Sequence, residues 1–244
     1  MKLQALGALV TVEMKKLIRH PVNLFMNLLF PALLTVVFMI TFSDPELGVS
    51  INSVVPGLVV YAVIFLIMTV AQSFSSERKL LRRLNTTPMT SSEFIGSQII
   101  SNMVTAILQV IIVLVLAYVL SFRPESGFGG IFLAMFVTAL FALSSVGLGL
   151  ITATVSRNPE MGVGLSFIFI LPQMFFGTFM PLSSSTQEIA KFVPSHYLFN
   201  GLKLIFEDNW LNITFFFDLA IISAVSVIVV VIGILLFEKY GKFK

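Results

Sequence analysis

Six long apolar runs decide what this chain can fold into. They are Val22–Phe42, Val54–Phe74, Phe94–Leu120, Ile131–Val155, Met161–Met180 and Phe215–Phe237, each 20 to 27 residues long. A helix needs about 20 mainly apolar residues to cross a bilayer. Inside hydrocarbon every backbone N–H and C=O must find a partner, which a helix supplies within itself. The runs do not alternate apolar and polar residues, so they do not read as barrel strands. The expected fold is an all-α integral membrane protein with six transmembrane helices. Composition agrees, with 57% apolar and 11% charged residues, against roughly 25% charged in soluble domains. That argues against a soluble enzyme, and the hydrophobicity excludes a disordered chain. The longest segment between runs, Pro181–Thr214, has 34 residues, short of the roughly 50 that an independent domain needs. Residues 1–244 therefore read as a single transmembrane domain.

The basic residues set the orientation. With the N-terminus inside, the inner segments hold Lys2, Lys15, Lys16, Arg19, Arg78, Lys79, Arg82, Arg83, Arg157, Lys239, Lys242 and Lys244. The outer segments hold only Arg123, Lys191 and Lys203. Both termini are thus expected in the cytoplasm, with the chain multi-pass in the cell membrane. This asymmetry accounts for the net charge of +3 without a nucleic-acid partner. Leu3, Leu6, Val10, Met14 and Leu17 recur at helical spacing among charges. They predict an amphipathic helix on the inner membrane surface rather than a cleaved leader.

Two connections carry local signals. The inner loop Ser75–Ser92 contains a basic helical run, Glu77 to Leu84, that Asn85-Thr86-Thr87-Pro88 ends. Thr90-x-x-Glu93 then reads as a capping box for the third span. The basic run fits either a topogenic loop beside anionic headgroups or a docking helix for a cytoplasmic partner. In the outer segment, Ser185-x-x-Glu188 opens a short helix that Pro194 is expected to end, and Ser195 is expected to cap another through about Phe206. Their apolar content predicts two helices folded back into the outer leaflet or forming a lid. Trp210 fits the interfacial aromatic belt.

Inside the spans, Pro31 and Pro172 each remove a backbone donor and kink their helices. Ser145-x-x-x-Gly149-x-x-x-Ala153 is a small-residue ridge for close packing. The Gly147–Gly149 pair and Gly162/Gly164 lie in apolar runs and are not nucleotide loops. Asp218 is almost the only charge within a span and reads as an interfacial carboxylate bonded to the outer loop, with a functional ion site as the alternative. Asn27, Gln72, Asn102, Gln109 and Gln173 read as interhelical hydrogen-bonding groups, with a weakly polar cavity lining as the alternative.

Chemistry-bearing residues are sparse. Cysteine is absent, and His20 and His196 stand far apart with no HExxH pattern. No metal site and no catalytic residue is expected. No GxxxxGK[ST] phosphate loop occurs, so energy for any transport has to enter from outside, with the basic inner loop as the input surface.

Two stretches give the chain a likeness to a known family. Glu77–Gly96, ERKLLRRLNTTPMTSSEFIG, and Asn158–Ile205 with its Asn-Pro entry, Pro172 span, Met180-Pro181 exit and Pro194 before Tyr197 together resemble the type-2 membrane permeases of ATP-binding-cassette (ABC) transporters. Those include drug-resistance exporters. The likeness spans the whole chain. Phe176-Gly177-Thr178-Phe179 stands where relatives often carry Ser-Gly, and Lys203 where many carry Arg. The resemblance implies a homodimer or heterodimer of permeases, each bound to a cytoplasmic ATPase subunit that carries ATP and Mg and does the hydrolysis. It makes Glu77, Arg78, Lys79, Leu80, Arg82 and Arg83 the coupling segment. It also implies dimerisation around the second and fifth spans, with the path at that interface; the candidate lining residues are Phe65, Met68 and Thr69 on one span and Phe167, Met174 and Phe175 on the other. Phenylalanine and methionine make adaptable apolar surfaces for a lipophilic or amphiphilic substrate, and Gln173 is the group to orient a polar part of it. An ion-coupled secondary transporter and a membrane scaffold or assembly factor are the rival classes.

Overall fold

The structure is a computed structural model that describes residues 7, 10–12, 14, 15, 19, 25–42, 51–84, 91–177 and 184–241. Among them the regular structure is helical. A π-helical turn, Phe25–Leu29, leads into α1 (Phe30–Phe42). Then follow α2 (Ile51–Ile64), α3 (Leu66–Leu84), α4 (Ser91–Val119), α5 (Gly127–Val155), α6 (Pro159–Phe176), α7 (Ser184–Ala190), α8 (Pro194–Phe206) and α9 (Ile213–Leu236).

Five stretches are long and apolar enough to cross a membrane: Val54–Ser76, Ile95–Val119, Gly127–Val155, Pro159–Phe176 and Ile213–Leu236. They match the last five expected spans to within a few residues. Phe30–Thr41 is a shorter apolar helix at the place of the first. The expected start of that span, residues 22–24, lies outside the described residues. So does most of the N-terminal segment; where it is described the backbone is helical, with Val10 and Met14 half-buried and Thr11, Val12, Lys15 and Arg19 exposed.

The helices are far from equal in burial. The second span is 83% buried inside the chain, while Pro159–Phe176 is 22% and Ile213–Leu236 17% buried. Val59, Val60, Val63, Ile64, Leu66, Ile67 and Val70 are fully enclosed. Around this centre α5 packs against α9 and α3, and also against α4 and α8. Two glycines explain how one helix serves two close neighbours. A Cβ at Gly147 would lie 2.7 Å from the Val229 and Val230 backbone of α9. A Cβ at Gly149 would lie 2.5 Å from Val70 Cβ of α3. Residues two apart on a helix point to opposite sides, and the missing side chains let each neighbour approach.

The bundle's two ends differ. At one end α8 is wedged into the bundle, with Leu198, Leu202 and Ile205 fully buried and contacts to α9, α5, α2 and α6. It is therefore a packed element rather than a free lid. Its start corrects the expected capping. Val193 is the N-cap and Pro194 opens α8, because proline's missing N–H costs nothing in the first turn. The Ser195 hydroxyl instead donates to the Gln173 carbonyl of α6 at 3.0 Å. Asp218 is also not at an open interface. It is only 4% exposed on the face of α9 that buries Phe215, Ile222 and Ser226, and its Oδ2 has no hydrogen-bond partner among the described residues.

Candidate functional site

The end of the bundle opposite α8 holds the basic segment. The helix that begins at Leu66 in the core continues without interruption to Leu84, so Glu77, Arg78, Lys79, Leu80, Arg82 and Arg83 sit on an extension of the second span. Nineteen residues make a rod of roughly 28 Å. Only the backbone of residues 77–84 is described, and the Asn85–Thr90 stop and cap lie outside the described residues.

Three contacts fix the root of that rod. Ser75, buried, meets Ser156 Oγ to Oγ at 2.6 Å. Ser156 donates its own hydroxyl proton to the Ala153 carbonyl at 3.0 Å, which leaves Ser75 to donate to Ser156. Ser156 is the C-cap of α5, its N–H bonded to the Thr152 carbonyl. Next, Gly162 of α6 lies against α3 so closely that a Cβ there would be 3.1 Å from Ser75 Oγ and 3.2 Å from the Ala71 carbonyl. Finally, Phe74 and Phe237, both fully buried, meet edge to face at 5.0 Å. The short Ser156–Asn158 connection is itself stiff. Asn158 Oδ1 accepts the Met161 N–H at 2.7 Å, and Pro159 occupies the first turn of α6. The root of the basic segment thus touches α5, α6 and the end of α9.

The candidate path residues occupy a definable surface. On the second span the residues that are not buried are Phe65, Met68, Thr69, Gln72, Ser73 and Ser76. Their spacing of three and four marks one face of a helix, and it grades from apolar to polar toward the basic segment. That face begins at an irregularity. Both the Met68 N–H, at 3.1 Å, and the Thr69 N–H, at 3.4 Å, donate to the Phe65 carbonyl, so the helix tightens locally where α2 meets α3. Phe65 stacks edge to face on Phe30 of α1 at 5.4 Å.

On α6 the buried stripe is Gly162, Ser166, Ile170 and Gln173. Phe167, Leu171 and Phe175, a turn apart, are all more than a third exposed, and Met174 is half-buried. Helices α3 and α6 pack together, with Gly162 against Ala71 and Ser75, on the buried face of each helix. Gln173 does not share the exposed face of Phe167 and Phe175. It lines a cleft with Pro172, Ser144, Leu148, Val225 and Val229, to which α2 and α3 contribute nothing.

Two of the polar residues expected to bond between helices, Asn102 and Gln173, instead donate within their own helices. Asn102 Nδ2 donates to the Gln98 carbonyl at 2.8 Å, and Gln173 Nε2 to the Phe169 carbonyl at 3.3 Å. Gln72 is exposed. The side chain of Asn27 lies outside the described residues. Sequence reasoning missed the Ser75–Ser156 pair and the role of Gly162. Ser75 sits at the edge of an apolar run and looks like the first loop residue, and its partner is 81 positions away.

The model of the ABC-2 type transporter family matches residues 4–206, from the N-terminal segment to the end of α8. Comparison with curated proteins finds no match.

Proposed function

The chain belongs to the ABC-2 type transporter family, the multi-pass membrane permeases of ABC transporters, and from that premise we propose that it is the membrane half of an ATP-driven exporter. The chain has six spans, the first formed by residues 22–42, residues 1–244 make one permease domain, and the path forms where two permeases meet around their second and fifth spans. Both termini and the basic segment face the cytoplasm of a cell-membrane protein. The permease works as a homodimer or heterodimer, each copy carrying one cytoplasmic ATPase subunit. ATP and Mg bind on that partner, and this chain performs no hydrolysis.

One observation carries the reading: the helix from the buried centre of the second span runs unbroken into the basic segment and is clamped at Ser75 to α5 and, through Gly162, to α6. In the proposed cycle, closure of the ATPase pair moves the segment Glu77–Arg83. The rod tilts about its root, and the contacts at Ser75, Gly162 and Phe74 carry the tilt into α5, α6 and α9. The path between the second and fifth spans then opens to the other side. Phe65, Met68 and Thr69, beside the local tightening at Phe65, and Phe167, Met174 and Phe175 line that path for a lipophilic or amphiphilic substrate.

The test is docking. Arg82→Glu combined with Arg83→Glu replaces attraction by repulsion at a partner surface, and such like-charge placement costs several kcal/mol. The double variant is expected to insert normally and to lose co-purification with the ATPase. Co-purification at native yield would reduce the segment to a topogenic loop.

A further inference from the structure

Arg123, Lys191 and Lys203 stand at the α8 end of the bundle, and the fold uses them differently. Lys191 pairs with Glu188 at 2.6 Å and Lys203 with Glu207 at 3.8 Å. Arg123 forms no ion pair among the described residues. It is exposed, in the short connection between α4 and α5. Glu125, exposed two residues further on, is not within ion-pair reach of it.

The backbone around Arg123 is fixed on both sides. α4 ends in a left-handed turn at Ser121, φ 77°. Phe122 is buried and meets Phe206 of α8 edge to face at 5.1 Å. The Glu125 N–H donates to the Phe206 carbonyl at 2.9 Å. The side chain is fixed as well. Nη1 donates to the Tyr118 carbonyl at 2.6 Å and to the Phe122 carbonyl at 2.8 Å. The guanidinium lies over the Tyr118 ring, with Cζ 3.9 Å from its centroid, a cation–π contact. Closing off carbonyls at the end of α4 is the structural use of this side chain. It occupies both hydrogens of Nη1 and leaves the other edge of the fork, Nε–H beside Nη2–H, with its parallel donors.

The level of this edge in the membrane follows from the span. Ile95–Val119 has 25 residues, about 37 Å of helix, against roughly 30 Å of hydrocarbon. Arg123, four residues beyond Val119, therefore lies among the headgroups. Beneath it Ile111, Val115 and Val119 of α4 are exposed at a spacing of one turn, as are Phe128 and Phe132 of α5. These are surfaces for acyl chains.

We propose that Arg123 seats the phosphodiester of a membrane phospholipid, two of its oxygens on Nε–H and Nη2–H, with the acyl chains along the exposed faces of α4 and α5. Guanidinium and phosphate pair in this two-pronged form, and a donor edge already held in place loses little freedom on pairing. Free inorganic phosphate offers the same oxygens but has no chain to lie on the apolar faces. The seat needs no ATPase and no transport direction, so it stands or falls apart from the proposed function.

The test uses the full chain in phosphatidylcholine vesicles. Two photoreactive probes, added in trace amounts, share the same acyl chains with a diazirine near the glycerol. One is a phosphatidylglycerol and the other the corresponding diacylglycerol, which lacks the phosphate. Adducts are mapped by mass spectrometry, each probe scaled to its own adducts on Phe216 and Phe217, exposed at the same end of α9. The phosphatidylglycerol is expected to label the Val115–Val119 and Phe128–Phe132 stretches about fivefold more than the diacylglycerol, the scale of one well-formed exposed ion pair. Arg123→Gln should remove that excess while the Phe216 and Phe217 adducts persist, as evidence of normal insertion. Inorganic phosphate should leave the excess as it is in chloride of equal ionic strength. Equal labelling by both probes in the native chain would overturn the proposal, as would an excess that survives Arg123→Gln. Loss of the excess in phosphate but not in chloride would give the edge to a free anion and overturn the lipid seat.

Discussion

Gly162→Val tests whether α3 and α6 really meet at the root of the basic segment. A Cβ at this position lies 3.1 Å from Ser75 Oγ and 3.2 Å from the Ala71 carbonyl, and valine adds two methyl groups beyond it. One of the opposing atoms is backbone, so α3 and α6 have to separate. Overpacking of this kind costs about 1–3 kcal/mol. Gly164 is the control, two residues along the same helix with nothing within 4 Å of its virtual Cβ. The change in helix propensity is the same at both sites and amounts to a few tenths of a kcal/mol in valine's favour. Gly162→Val should therefore melt on the order of 2–10 °C below Gly164→Val, measured by thermal denaturation of the purified chain. Ser75→Ala removes the closest opposing atom. The double variant Ser75→Ala, Gly162→Val should recover part of the loss, a non-additivity of about 0.5 kcal/mol or more. Equal melting of the two valine variants, with additive double-variant energies, would refute the contact and the transmission built on it.

Two further outcomes follow from the same account. The native chain contains no cysteine, so single cysteines at Ser76 and Lys242 should resist a membrane-impermeant thiol reagent applied to intact cells and react after the membrane is opened; reaction from outside would invert the topology. Phe167→Ala and Met174→Ala, made at exposed and half-buried positions of α6, should express normally and change which lipophilic substrates are exported, read as relative efflux of a panel of dyes; an unchanged profile across both variants and Phe65→Ala, Met68→Ala, Thr69→Ala and Phe175→Ala would remove the path.

The last five spans were legible because membrane insertion selects on length and hydropathy, which are local properties. Their ranking by burial was not. Val54–Ser76 and Ile213–Leu236 have similar hydropathies of 2.6 and 3.1, yet one is the centre of the bundle and the other largely faces out. Lipid and protein interior are equally apolar, so hydropathy cannot separate them. The small residues carried part of that information. Gly147, Gly149 and Gly162 mark close helix contacts, but the sequence does not say with which helix. Ser75 and Ser195 show the same limit for polar groups. Each looks like a local terminus signal, and each spends its hydroxyl on a residue distant in sequence, Ser156 and the Gln173 carbonyl. Phe65, Met68 and Thr69 of the second span are half-buried, at the spacing of three and four that marks one face of a helix.

The most direct test of the central claim is dye flux in inside-out membrane vesicles that carry the permease with or without its ATPase partner. A lipophilic fluorescent dye should accumulate only when both subunits and hydrolysable ATP are present, and Arg82→Glu with Arg83→Glu should abolish accumulation while the permease remains in the membrane. Accumulation by the permease alone under a proton or sodium gradient, unaffected by ATP, would contradict the account and make the chain a secondary transporter.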